Sequence, residues 1–165
     1  MKMTMAELRQ QLPQVGKLET IAVRPGRREP MVSLEEAEVE VGSGINGDRF
    51  SGKPDSVRQV TLIQKEHLTA VAGMLGLESI DPLLTRRNLV ISGINLIALK
   101  DQKFSIGEVV LLGSGPCHPC SRMEEAFGPG GYNAMRGHGG ITARVITGGT
   151  IRVGDAIQFI DEVAG

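Results

Sequence analysis

The sequence predicts a mostly β fold, a barrel of short strands with a few short helices. Three observations carry this. Short apolar runs rich in β-branched residues recur along the chain, two long glycine-rich loops interrupt them, and no regular alternation of strand and helix patterns is present. Glycine accounts for 22 of the 165 residues, which suits a chain that turns often. At 41% hydrophobic and 22% charged residues, the composition is that of one globular domain large enough to bury a core without disulfide or metal staples.

Residues 1–16 read as a helical extension, with Met5, Leu8 and Leu12 on one face and Pro13 ending the helix, ahead of a single barrel domain over 17–165. The extension lacks the continuous apolar core and small-residue cleavage site of a signal peptide. No run approaches transmembrane length, so no membrane partner is expected. Two cysteines without an export signal point to the cytoplasm and a thiol role rather than a structural disulfide. The strands follow in order. Lys17 to Arg24 is the first, turned by Pro25-Gly26, and Glu36 to Val41 alternates as a half-buried strand does. It runs into the first glycine-rich loop, Gly42 to Pro54, whose length is that of functional or disordered loops. Arg58 to Ile63 is a further strand. Gln64 to Leu75 then forms the one long internal helix, placing Leu68, Val71, Ala72 and Leu75 on one face and His67 on the solvent side.

Strands are next expected over Thr85–Ile91 and Asn95–Leu99, and over Gly107–Gly113 ahead of a short helix. Gly128 to Gly140 is the second glycine-rich loop. Alternation returns at Ile141–Ile146 and Ile151–Phe159. Asp48 and Asp155 flank glycines and read as turn residues.

Charge and composition exclude some classes of function. The net charge of −1 argues against a general polyanion binder. Aromatics at 3%, with no Trp, argue against a stacking platform for single-stranded nucleic acid, so no nucleic-acid partner is expected. Arginine outnumbers lysine, a pattern that suits local recognition of planar or phosphorylated anions as well as ordinary solvated surface.

Chemistry concentrates in Ser114-Gly-Pro-Cys-His-Pro-Cys-Ser-Arg-Met-Glu124, which holds both cysteines, Cys117 and Cys120, and one of three histidines, His118. Pro119 suits the first position of the helix that follows. That would set Cys120 in the first turn, where free backbone amides and the helix dipole favour a thiolate, with His118 and Arg122 nearby. Three readings are open. One is structural zinc on Cys117, Cys120 and His138, with His118 or His67 as fourth ligand. The second is a thioredoxin-type redox pair, although that fold carries its motif within a β-α-β pattern. The third is a thiolate site for a cofactor or for a metal other than structural zinc.

Four stretches, in order, resemble the MOSC domain, the C-terminal module of molybdenum cofactor sulfurases that also occurs as small stand-alone bacterial proteins. They are Gly47-Asp-Arg49 leading to Arg58-Gln-Val-Thr-Leu62, and Arg86-Arg-Asn-Leu-Val-Ile-Ser-Gly93 with Leu96. Phe104-Ser-Ile-Gly107 through Pro119-Cys120 follows, then Gly139-Gly-Ile-Thr-Ala-Arg-Val145 closing with Val153-Gly-Asp155. The resemblance implies a β-barrel whose cysteine binds or receives sulfur at the molybdenum cofactor (molybdopterin). The family's Pro-Cys matches Cys120, the implied catalytic and metal-binding residue, while Cys117 falls outside that pattern. The pyridoxal-phosphate desulfurase domain of the full-length sulfurases has no counterpart here, so extraction of sulfur from cysteine is not expected.

Ligand chemistry adds candidates. A thiolate is a soft ligand matched to molybdenum held by dithiolene sulfurs. Arginine suits both pterin edges and phosphate, which singles out Arg86, Arg87, Arg122 and Arg136, with Asn88 as hydrogen-bonding partner. Gly139 and Gly140 would permit close approach of an anion, or simply form a hairpin turn. His138 is a candidate acid, base or anion contact. Two functions of different class follow: a molybdenum-dependent oxidoreductase that reduces N-hydroxylated compounds with an external electron-donor protein, or a sulfur carrier served by a sulfur-donor protein and without catalysis of its own.

Overall fold

The computed structural model describes residues 2–49 and 54–162. Helix α1 (Met5–Arg9) opens the chain behind a capping box, in which the Thr4 side chain accepts from the Glu7 amide and the Glu7 carboxylate accepts from the Thr4 amide. The strands are β1 (Gly16–Val23), β2 (Val32–Leu34), β3 (Glu36–Glu40), β4 (Gly44–Ile45) and β5 (Val60–Gln64). Helix α2 (Lys65–Leu75) follows, then β6 (Leu89–Ser92), β7 (Lys103–Ile106) and β8 (Val109–Pro116). Helices α3 (Arg122–Phe127) and α4 (Gly131–Met135) precede β9 (Ile141–Thr147), β10 (Gly149–Arg152) and β11 (Ala156–Phe159).

Seven strands close a barrel in the order β1-β6-β5-β9-β8-β7-β11, and β11 returns to pair with β1 at Gly16–Ile157 and Lys17–Ala156. The mostly β barrel with short helices expected from the strand pattern is the fold observed. Strand β2 extends the sheet beside β1, while β10, β3 and β4 form a small second sheet. The loop expected over Gly42–Pro54 therefore contains a strand, β4, and its residues 50–53 lie outside the described residues.

Side-chain alternation explains why β5 and β6 carry apolar residues on both faces. Leu62, Leu89 and Ile91 point into the barrel core, whereas Ile63 and Val90 point outward against α2. The outer cluster joins Leu68, Val71 and Ala72 of α2 to Met123 of α3 and to Ala134 and Met135 of α4. Strands β5 and β6 are parallel, bridged by α2, and form the one β-α-β unit of an otherwise antiparallel barrel. Helix α2 ends where the spacing predicts, with Gly76 left-handed at φ 68°.

Two predicted strands differ. Asn95–Leu99 is a 3₁₀ turn over Leu96–Leu99, with Leu96 and Leu99 buried and Ile97 exposed; that spacing is three, not two. The strand expected from Thr85 begins only at Leu89. Pro82–Thr85 is a second 3₁₀ turn, capped by the Asp81 carboxylate on the Leu83 amide, and Arg86 ends it at φ 62°. Among the described residues no helix is long and apolar enough to cross a membrane.

Candidate functional site

Strand β8 delivers the cysteine segment, and a buried arginine fixes it. Arg87 is 8% exposed, and its guanidinium donates to four main-chain carbonyls. The contacts are Nε to Gly139 (2.8 Å), Nη1 to Thr85 (3.1 Å), and Nη2 to Cys117 (3.1 Å) and His118 (3.3 Å). One side chain thus ties the start of β6 to the cysteine segment and to the turn before β9. Arg87 is a positioning residue rather than a free ligand contact.

The same contacts account for a departure from the expected helix. Arg87 pins the Cys117 and His118 carbonyls toward the start of β6, and residues 117–120 remain irregular. Helix α3 starts instead at Arg122, and Cys120 lies ahead of it, its carbonyl accepting from the Met123 amide at 3.0 Å. Cys120 is exposed and Cys117 is buried, both as free thiols. The first-turn dipole argument for Cys120 therefore fails, and its charged neighbours are what remain.

Those neighbours are guanidiniums. A cavity of about 420 Å³ is lined by Arg24, Arg49, Arg58 and Arg86, with Thr61 and Asn88 in its wall and Asp48 as its one carboxylate. Asp48 already accepts the Arg24 backbone amide at 2.8 Å. Among the described residues, the buried Arg24 Nε and Arg86 Nη2 have no hydrogen-bond partner. Burial first, then Arg24 and Arg122, push the Arg86 guanidinium below its ordinary pKa, while Cys120 acts in the opposite sense. Crowded cations with orphaned buried donors are the features of an anion site. Asn88 holds its wall: Oδ1 accepts the Thr61 amide (3.0 Å) and hydroxyl (3.2 Å), and Nδ2 donates to the Ala22 carbonyl (3.2 Å).

A separate cavity of about 280 Å³ lies beside Cys117, with Gly139 and Gly140 in its wall. Both glycines are required by the protein's own packing. A Cβ on Gly139 would fall 2.1 Å from the Cys117 carbonyl oxygen, and one on Gly140, at φ 85°, would fall 1.8 Å from that of Leu62. His67 also lines this cavity rather than standing free in solvent, because the segment after α4 covers that side of α2. Its ring packs edge-on against His138, centroids 4.9 Å apart. Burial, then the neighbouring His138, hold the His67 pKa below its ordinary value, with Glu66 opposing. His138 Nδ1 is buried without a partner.

The predicted set therefore divides. Arg86 and Asn88 line the arginine cavity, and Cys120 and Arg122 act electrostatically on Arg86. Gly139, Gly140 and His138 belong to the Cys117 side, and Arg136 faces an open groove with His118 and Tyr132. Among the described residues no group of three or more His, Cys, Asp and Glu side chains could hold a metal ion, so the four-ligand zinc set is not assembled. Sequence reasoning missed Arg24, Arg49, Arg58 and His67. Arg49 and Arg58 do stand at the ends of the first stretch resembling the MOSC domain, the one signal that could have found them.

The MOSC domain model matches residues 47–158. Among solved structures, the chain is similar to the YuaD protein from Bacillus subtilis, at 20% identity and a TM-score of 0.76, over 90% of this chain and 98% of that one. YiiM from Geobacillus stearothermophilus is similar at 17% identity and a TM-score of 0.70, over 91% and 77%. YiiM from Escherichia coli is similar at 17% and 0.67, over 88% and 70%. No curated protein matches. The fold likeness and the family match over most of the barrel agree: this chain belongs to the MOSC domain family.

Proposed function

We propose that the arginine-lined cavity receives the molybdenum–pterin cofactor, with Cys120 as its molybdenum ligand or as a sulfur acceptor. The observation that carries this reading is the pair of buried, unpartnered guanidinium nitrogens, Arg24 Nε and Arg86 Nη2, in a wall that also holds Arg49 and Arg58. Buried donors without acceptors are costly, and a phosphate or a pterin edge would satisfy them. Cys120 is exposed and acts electrostatically on Arg86 in the cavity wall, which makes its sulfur the candidate soft ligand. Asn88 fixes that wall through Thr61 and Ala22, and Arg87 fixes the cysteine segment through the carbonyls of Cys117 and His118.

When bound, the cofactor would supply two-electron redox chemistry at molybdenum. Paired with an external electron-donor protein, that chemistry fits the reduction of N-hydroxylated compounds. The exposure of Cys120 favours a second reading, a sulfur carrier that takes sulfur from a donor protein and holds it as a persulfide, which needs an accessible thiol.

The test is molybdenum and pterin content of protein made in a cofactor-competent host, beside Cys120→Ala and Arg86→Gln prepared in parallel. Stoichiometric molybdenum, lost in Cys120→Ala, with pterin reduced in Arg86→Gln, is the expected result, and turnover with an artificial reductant then identifies the reductase. A persulfide mass shift on Cys120 without molybdenum identifies the carrier. Neither metal nor persulfide refutes both readings, and retention of cofactor in Cys120→Ser with loss in Cys117→Ser moves the active thiol to Cys117.

A further inference from the structure

We propose that the cavity beside Cys117 is a second ligand site, built for a small apolar monocarboxylate. It shares no lining residue with the arginine cavity, so it stands independently of the cofactor reading. Its volume, about 280 Å³, is at the lower limit of the roughly 300–1,000 Å³ typical of small-molecule sites, which suits a compact ring or branched chain. Leu96 and Ile141 supply an apolar floor, and the exposed Ile97 forms part of its rim. Among the described residues no Asp or Glu lines the cavity.

The polar side chains that line it, Gln64, His67, Lys100, His118 and the Cys117 thiol, can all donate a hydrogen bond. Gln64 is buried, and its Oε1 accepts the Leu96 amide at 3.2 Å, which leaves the side-chain NH₂ as the group it offers to a ligand. His67 contributes a ring N–H, and Lys100 an ammonium that forms no salt bridge among the described residues. An apolar body with one anionic acceptor end matches this set: the body against the isoleucines, the carboxylate toward Lys100 and the amide of Gln64. A phosphate matches it poorly, because most of the wall is hydrocarbon and would desolvate a dianion without compensation.

The experiment is titration of isotope-labelled, cofactor-free protein with benzoate and with its neutral counterpart benzyl alcohol, followed by NMR shifts. Benzoate is expected to bind in a saturable way, with shifts at Gln64, Leu96, Ile97 and Ile141. Lys100→Met should weaken benzoate about fivefold, the upper end of what an exposed ion pair contributes, and leave benzyl alcohol unchanged. Ile97→Trp fills the cavity from an exposed position that folding tolerates, and should abolish binding of both. Three results would overturn the proposal. They are no saturable binding, shifts confined to Arg24, Arg58 and Arg86, or equal affinity for benzoate and benzyl alcohol with no effect of Lys100→Met.

Discussion

Replacing Arg87 with methionine tests whether this arginine holds the site together. The substitution keeps an unbranched apolar stem and removes donors to the carbonyls of Thr85, Cys117, His118 and Gly139. Three of those residues, Thr85, Cys117 and Gly139, are buried, so water does not readily replace the lost donors. At about 1–3 kcal/mol for each buried acceptor left unsatisfied, the gross loss is roughly 3–9 kcal/mol. Relief from burying an uncompensated guanidinium offsets part of it, since Arg87 has carbonyl partners and no carboxylate. A net loss of about 3–5 kcal/mol is expected, against total stabilities of about 5–15 kcal/mol, with a fall of roughly 10 °C in Tm. Urea unfolding followed by far-UV circular dichroism measures it. Arg87→Lys should recover less than half, because an ammonium cannot reach carbonyls spread around a planar fork. A loss below about 1 kcal/mol for Arg87→Met, with unchanged hydrogen exchange at His118 and Gly139, would refute the reasoning.

Gly140→Ala should destabilise by more than about 4 kcal/mol, because the new Cβ would sit 1.8 Å from the Leu62 carbonyl oxygen. Gly137→Ala is the control: it shares the left-handed backbone, φ 82°, but meets nothing within 4 Å and should lose only about 1–2 kcal/mol. Chemical denaturation of the pair separates the clash from the backbone strain. The Glu124 carboxylate accepts the amides of Tyr132 and Gly130, which hold its pKa below the usual range and tie α3 to α4. Its contribution is therefore present above the unfolded pKa of about 4.3 and lost as pH falls through the lower folded value. Glu124→Ala should lower Tm at neutral pH and flatten the acid limb of the Tm–pH curve. For His67, an NMR titration should give a midpoint below the ordinary 6.5, and His138→Gln should raise it by removing the neighbouring charge. An unchanged midpoint would assign the whole shift to burial.

Elements with a strong period were legible in the sequence. Strand β3 alternates Glu36, Glu38 and Glu40 outward with Ala37 and Val39 inward, and α2 carries its apolar stripe and its terminal glycine in the expected places. Asn95–Leu99 was not legible as a turn, because in five residues a spacing of three and a spacing of two differ by one side chain. The cysteine segment was found from its residue types. Its conformation was not, because Arg87, thirty residues earlier in the chain, decides it through the Cys117 carbonyl. Arg24, Arg49, Arg58 and Arg86 are dispersed in a chain of net charge −1, and only barrel closure gathers them into one wall. His67 looked solvent-facing because helix periodicity describes the helix and not what later folds over it.

Barrel closure also has a kinetic meaning. Strand β1 finds β2 and β6 early in synthesis, but its seam with β11 joins residues from opposite ends of the chain. Until β11 is made, the nascent sheet is open beside Gly16 and Lys17 of β1, which β2 leaves uncovered, and along one side of β7, and both edges can recruit another chain. Contacts so distant in sequence slow folding, since loop-closure entropy is lost before they form. A nascent chain stalled before Ala156 should therefore be the most aggregation-prone species of this protein, and a circular permutant that joins β11 to β1 should shorten the time spent in it.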